Sequence, residues 1–150
     1  MGRPLFLILL SLASCAGPSG AGRPTDLGPF SLVLPDDMKS IPVKAIDSFV
    51  GEFANAELII HFDFGLYCDE LTSSDYGTVV TRESVLIDRR KALFMVWRRP
   101  EGSPTPIMAA VHVPAPAREE AGLTMYGEFK EEASVATARR IFQSVRFRKD

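Results

Sequence analysis

Leu58-Ile59-Ile60-His61-Phe62-Asp63-Phe64 is the stretch on which the fold turns. Leu58, Ile60, Phe62 and Phe64 alternate with Ile59, His61 and Asp63, the period-2 pattern of a strand with one face on a core. The second set becomes more polar toward its end, so a sheet with one apolar and one mixed face is expected. Gly65 stops the run. Upstream, Asn55 separates it from the extended segment Ser48–Phe53, and the two read as a hairpin turning near Asn55.

Further strands follow from the same reasoning. Phe30–Leu34 is a strand ended by Pro35, with Pro35-Asp36-Asp37 as a turn, and Ile41–Ile46 is extended. Leu66–Thr78 reads mostly as a loop. Val79–Ile87, Ala92–Trp97, Ile107–Val113 and Leu123–Phe129 read as strands, with Asp88-Arg89-Arg90-Lys91 as a charged turn. Phe94, Met95, Val96 and Trp97 are apolar in succession. Such a strand needs cover on both faces, one from a helix and the other from a second layer or a partner.

The period changes near the end. Between Glu131 and Val145, the residues Val135, Ala138, Phe142 and Val145 recur at helical spacing, with Ile141 beside them. Glu131 and Glu132 at its start and Arg139 and Arg140 near its end suit the helix dipole. Ser144–Phe147 turns back into a short final strand. The expected class is α+β: an antiparallel meander with a C-terminal amphipathic helix on one face.

The chain ahead of this domain has another character. Arg3 precedes the apolar run Leu5–Leu10, and Ser11-Leu12-Ala13-Ser14-Cys15 closes it with small residues. A positive start, a short apolar run and a small-residue exit describe a secretory signal peptide, too short to span a bilayer. Leu12-Ala13-Ser14-Cys15 resembles the lipobox of bacterial lipoproteins. The resemblance implies cleavage before Cys15 and a diacylglyceryl group on its thiol. With acylation of the new amino terminus, the chains would hold the protein to a membrane effectively permanently. Ala16, where that family uses Asp for inner-membrane retention, implies the outer membrane, facing the periplasm. Cleavage after Ala16 or Ala21 is the alternative and would give a secreted protein. N-myristoylation of Gly2 fails because Phe6 stands where Ser or Thr is needed. The organisation expected is a signal peptide over 1–14, a lipidated Cys and flexible Gly/Pro-rich tether over 15–28, and one domain over 29–150.

An early strand with a Leu-Pro exit, meandering strands, and a late helix ending Ile141-Phe142-Gln143-Ser144-Val145 resemble the layout of PsbP/Mog1/DcrB-like α/β sandwich proteins. That resemblance implies binding or accessory work without catalysis. Ile46–Gly51 with His61–Gly65 is similar to small bacterial envelope proteins of no assigned function.

The chain carries 17 basic and 19 acidic residues, and loss of Arg3 with the leader leaves a net charge of −3. That balance disfavours nucleic acid as a partner. Of the two cysteines, lipidation of Cys15 leaves Cys68 as a single free thiol, buried and inert, or else reactive or bridged to another molecule.

His61 and Asp63 share a strand face, and with Cys68, Asp69 and His112 they suggest a polar site. The four-ligand spacing of a closed metal site is missing, so no metal or other cofactor is expected. A triad from Ser73 or Ser74, a His and an Asp lacks a nucleophile elbow. Arg89-Arg90-Lys91 and Arg98-Arg99 flank one strand, and Arg139-Arg140, Arg146, Arg148 and Lys149 follow later. These are ordinary charged ends, or contacts for lipid phosphates or an acidic partner. The expectation is an envelope lipoprotein that is not an enzyme and that binds an envelope protein, glycan or lipid. The alternative is a small hydrolase or metal-dependent enzyme centred on His61 and Asp63.

Overall fold

The computed structural model describes residues 22–117 and 120–148. The expected signal peptide, Cys15 and the expected tether up to residue 21 lie outside the described residues. Ten strands and one helix run in the order β1 (Arg23–Asp26), β2 (Phe30–Leu34), β3 (Lys39–Ile41), β4 (Phe49–Ala54), β5 (Leu58–Gly65), β6 (Thr78–Ile87), β7 (Arg90–Arg98), β8 (Ile107–Val113), β9 (Gly122–Phe129), α1 (Ser134–Gln143) and β10 (Arg146–Phe147). A seven-stranded antiparallel sheet has the order β3-β4-β5-β9-β8-β7-β6, and β1-β2-β10 form a three-stranded sheet.

The class is therefore mainly β. About half of the described residues are strand and a tenth helical, which overturns the α+β expectation. Two facts account for the difference. The amphipathic segment yields a helix of only ten residues, beginning at Ser134. In addition, Arg23–Asp26 pairs antiparallel with Ser31–Leu34, although its Gly/Pro-rich surroundings read as tether. Composition is a weak guide there, because an edge strand tolerates Pro24 where a central strand would not. The extended reading of Ile41–Ile46 fails beyond its first residue: the strand is β3, which ends at Ile41, and Ile46 is left 95% exposed.

The alternation at β5 holds. Leu58, Ile60 and Phe62 are buried on one face, together with Phe53, Phe94, Val96, Ala109, Val111, Leu123, Met125 and Phe129 from neighbouring strands. The small sheet contributes Phe30, Leu32 and Leu34 to this core, and α1 contributes Ala138, Ile141 and Phe142. Sheet β1-β2-β10 and the helix thus cover the same face of the large sheet. Ser144 links them: its Oγ donates to the Ile141 carbonyl (2.6 Å) and accepts the Val33 N–H (2.8 Å). Gly127 lets the helix lie close, since a Cβ there would come within 3.1 Å of the Ala138 Cβ.

The turn between β6 and β7 is tighter than its charge run suggests. Asp88 (φ 47°) and Arg89 (φ 65°) both take left-handed backbone conformations, the pattern of a two-residue type I′ hairpin, and β7 starts at Arg90. No Asn-Gly or Asp-Gly pair announces it.

The opposite face of β7, β8 and β9 carries Met95, Trp97, Met108 and Ala110, all buried. The cover is the β5–β6 loop, whose Leu71 (2% exposed) and Tyr76 pack on them. The second layer that the apolar strand demands is thus a loop.

Candidate functional site

The loop-covered face is where the structure places most of the polar candidates. His61 (β5), Glu52 (β4) and Glu128 (β9) project from it, because Glu52 pairs with His61 and Glu128 with Ile59 in the antiparallel register. His61 Nδ1 lies 3.0 Å from Glu52 Oε2, and Nε2 lies 3.6 Å from Glu128 Oε1. Glu128 Oε2 accepts from Arg99 Nη1 (2.7 Å) and from Thr105 Oγ1 (2.9 Å). The His61 pKa is raised, chiefly by Glu128, against the opposing effect of burial and with further help from Glu52, which is the nearer carboxylate. Glu128 is held down to about 2 by hydrogen bonding from His61, against burial, with Thr105 and Arg99 adding to the effect.

A second polar cluster lies toward the Gly65 end of the same face. The Thr124 hydroxyl donates to the Asp69 carbonyl (2.6 Å) and meets His112 Nδ1 at 2.9 Å. With its one proton committed to Asp69, Thr124 must accept from His112, so a neutral His112 carries its proton on Nδ1. Cys68 Sγ lies 4.0 Å from that same nitrogen. The thiol therefore faces an N–H and not a basic lone pair. Burial raises the Cys68 pKa and lowers that of His112, the reverse of what an activated thiolate–imidazolium pair requires. Asp69 also accepts the Leu71 N–H (2.7 Å) and the Tyr76 hydroxyl. Tyr126 approaches Tyr76 at 3.5 Å, and burial, reinforced by Asp69, pushes its phenol far up. Asp63 Oδ1 is buried with no hydrogen-bond partner among the described residues.

The sequence candidates are thus divided. Cys68 and His112 come together. His61 and Asp63 share a face with them, but β9 lies between β5 and β8 and the register offsets the two histidines by two residues, so His61 and His112 stand about 12 Å apart. Among the described residues no three His, Cys, Asp or Glu side chains are placed to hold a metal ion. Ser73 Oγ accepts the Asp75 N–H.

The basic residues do not form one patch along β7. Arg98 pairs with Glu132 and Arg99 with Glu128 at one end, and Arg90 lies over the Phe147 ring at the other. The partners that sequence reasoning missed, Glu52, Thr124, Tyr126 and Glu128, were open to the same test that found His61. Thr124, Tyr126 and Glu128 alternate with Leu123, Met125, Gly127 and Phe129 along one strand.

No protein-family model matches the chain, and no curated protein matches it either.

Proposed function

We propose that this chain is a bacterial envelope lipoprotein, anchored through lipid on Cys15, whose β domain is a non-catalytic binding or accessory module. The observation that carries the anchor is the lipobox-like Leu12-Ala13-Ser14-Cys15 behind a short apolar run. Support for a non-catalytic role comes from the two histidines, which are engaged with neighbouring side chains. His61 is held between two carboxylates, and His112 donates its Nδ1 proton to Thr124. The outer membrane, facing the periplasm, is the compartment that Ala16 favours. Its partner is an envelope protein, glycan or lipid. The enzymatic alternative needs His61, Asp63 and His112 to converge, and β9 separates the two histidines.

Intact mass and membrane partition of the mature protein, wild type beside Cys15→Ala, test this reading. The expected result is a species starting at Cys15, heavier by at least a diacylglyceryl group and lost from the membrane fraction on substitution. A soluble, unlipidated wild type would overturn it.

A further inference from the structure

The register brings two basic runs, distant in sequence, to one corner of the molecule. Arg90 begins β7 at the same end of the large sheet as Phe64 at the end of β5 and Gly122 at the start of β9. Strand β10 delivers Arg146, Phe147 and Arg148 to that corner, where the Phe147 N–H donates to Asp88 Oδ2 (2.9 Å) in the β6–β7 turn. A cleft of about 470 Å³ opens there, with Phe64, Phe147, Arg90, Arg148 and Glu120 in its lining. A neighbouring cleft of about 350 Å³ shares Phe147 and Arg148. Both volumes are in the range of small-ligand sites, roughly 300–1,000 Å³.

Arg90 has no carboxylate partner among the described residues, and Arg148 has only a solvent-exposed one. Arg90 stacks on Phe147, with Cζ 3.9 Å from the ring centroid, and this leaves its in-plane donors unspent on any carboxylate among the described residues. Arg148 meets Asp26 Oδ2 at 3.0 Å, but its side chain is 62% exposed and that of Asp26 65%. A solvated pair of this kind is weak and exchanges readily for a better anion. The backbone beneath is fixed, because the Arg148 N–H donates to the Pro29 carbonyl (2.9 Å). At the mouth, Gly28 (φ 93°) has no atom within 4 Å of where a Cβ would be.

We infer that this cleft binds a phosphate group carried on an organic body. Arg90 and Arg148 grip the phosphate, and the apolar or sugar body lies along Phe64 and Phe147. The inference rests on the reading of the chain as a binding protein and names its ligand class. Two sources share this chemistry: a phospholipid headgroup and a soluble sugar phosphate. Glu120 in the same lining disfavours a second negative group on the ligand.

The test is titration of the mature, full-length protein in phosphate-free maltoside micelles with inorganic phosphate, glucose 1-phosphate and phosphatidic acid. Arg148→Gln and Arg90→Gln are compared with wild type, and Arg98→Gln, at the far end of β7, is the control. The organic phosphates are expected to bind, with affinity falling roughly tenfold in either cleft variant and unchanged in the control. Phosphatidic acid binding well above glucose 1-phosphate would assign the lipid source, and the reverse order the soluble one. Arg148 is exposed, so its variant folds even if loss of the Arg90–Phe147 stack perturbs the other; circular dichroism of both checks this. Failure of every probe to bind at millimolar concentration, or wild-type affinity in Arg148→Gln, would overturn the inference. Anchoring is read separately by mass and partition, so an anchored protein that binds no probe refutes the ligand class alone.

Discussion

His61 Nδ1 lies 3.0 Å from Glu52 Oε2, and this contact, with Glu128 on the other ring nitrogen, ties β4, β5 and β9 together on the loop-covered face. The two shifts that result have opposite pH signs. His61 is raised above its ordinary 6.5, so its contribution is fully present below that value and is lost as pH climbs through the folded pKa. Glu128 is lowered from 4.5 to about 2, so its contribution is present above 4.5 and is lost as pH falls toward 2. Both act together between those limits. Urea unfolding of wild type and His61→Gln should differ most near pH 5.5 and converge at pH 9. A constant difference across that range would show that the ring acts by packing alone.

Thr124 is fully buried and serves two partners. Thr124→Val keeps the shape but strands the Asp69 carbonyl and the His112 N–H. Leaving a buried polar group unpaired costs about 1–3 kcal/mol, and the same substitution unties the β5–β6 loop from β9. The expected outcome is a clear fall in the urea midpoint. Near-wild-type stability would mean that both groups find other partners.

Leu71 holds the loop down over Trp97, the single tryptophan of the chain. Its left-handed backbone (φ 59°) is supported by the bond from its N–H to Asp69. Leu71→Ala should cost about 2–4 kcal/mol as a buried large-to-small change. It should also shift Trp97 emission to the red and raise its quenching by acrylamide. Unchanged emission would show that the loop is not the cover of that face.

Gly127 sits under α1, where a Cβ would meet Ala138 Cβ at 3.1 Å and Ile60 Cδ1 at 3.3 Å. Gly127→Val overfills this contact, and overpacking costs typically about 1–3 kcal/mol. The melting temperature should drop, and more than it does for Gly28→Ala, where the space is open but the positive φ strains the backbone. The opposite ranking would place the close approach elsewhere.

Arg89→Gly relieves a left-handed arginine in the β6–β7 turn, a conformation costing about 1–2 kcal/mol for a residue with a Cβ. Part of that gain is offset by the greater backbone freedom of glycine when unfolded. A modest rise in melting temperature is expected, and a fall would mean that the Arg89 side chain contributes contacts of its own.

Much of the strand content was legible because period-2 alternation is local. The β5 face assignment and the apolar β7 follow from side chains two apart pointing the same way. The amphipathic face of α1 was legible for the same reason at its own period. Polar clusters such as Cys68–His112 were not, because they depend on which strand lies beside which. The order β5-β9-β8 brings Thr124 beside His112 and sets His61 apart from it. Fold class failed where pairing overruled composition. Arg23–Asp26 becomes a strand only because β2 offers it an edge, and β2 is held in place by Ser144 at the end of the helix. The lipobox-like Leu12-Ala13-Ser14-Cys15 behind an apolar run, the near-neutral charge and the alternating strands belong to the sequence by itself. The second sheet, the loop over Trp97 and the placing of Arg90 and Arg148 on one cleft were decided by tertiary structure, because each requires hydrogen bonds or packing between segments that no local pattern relates.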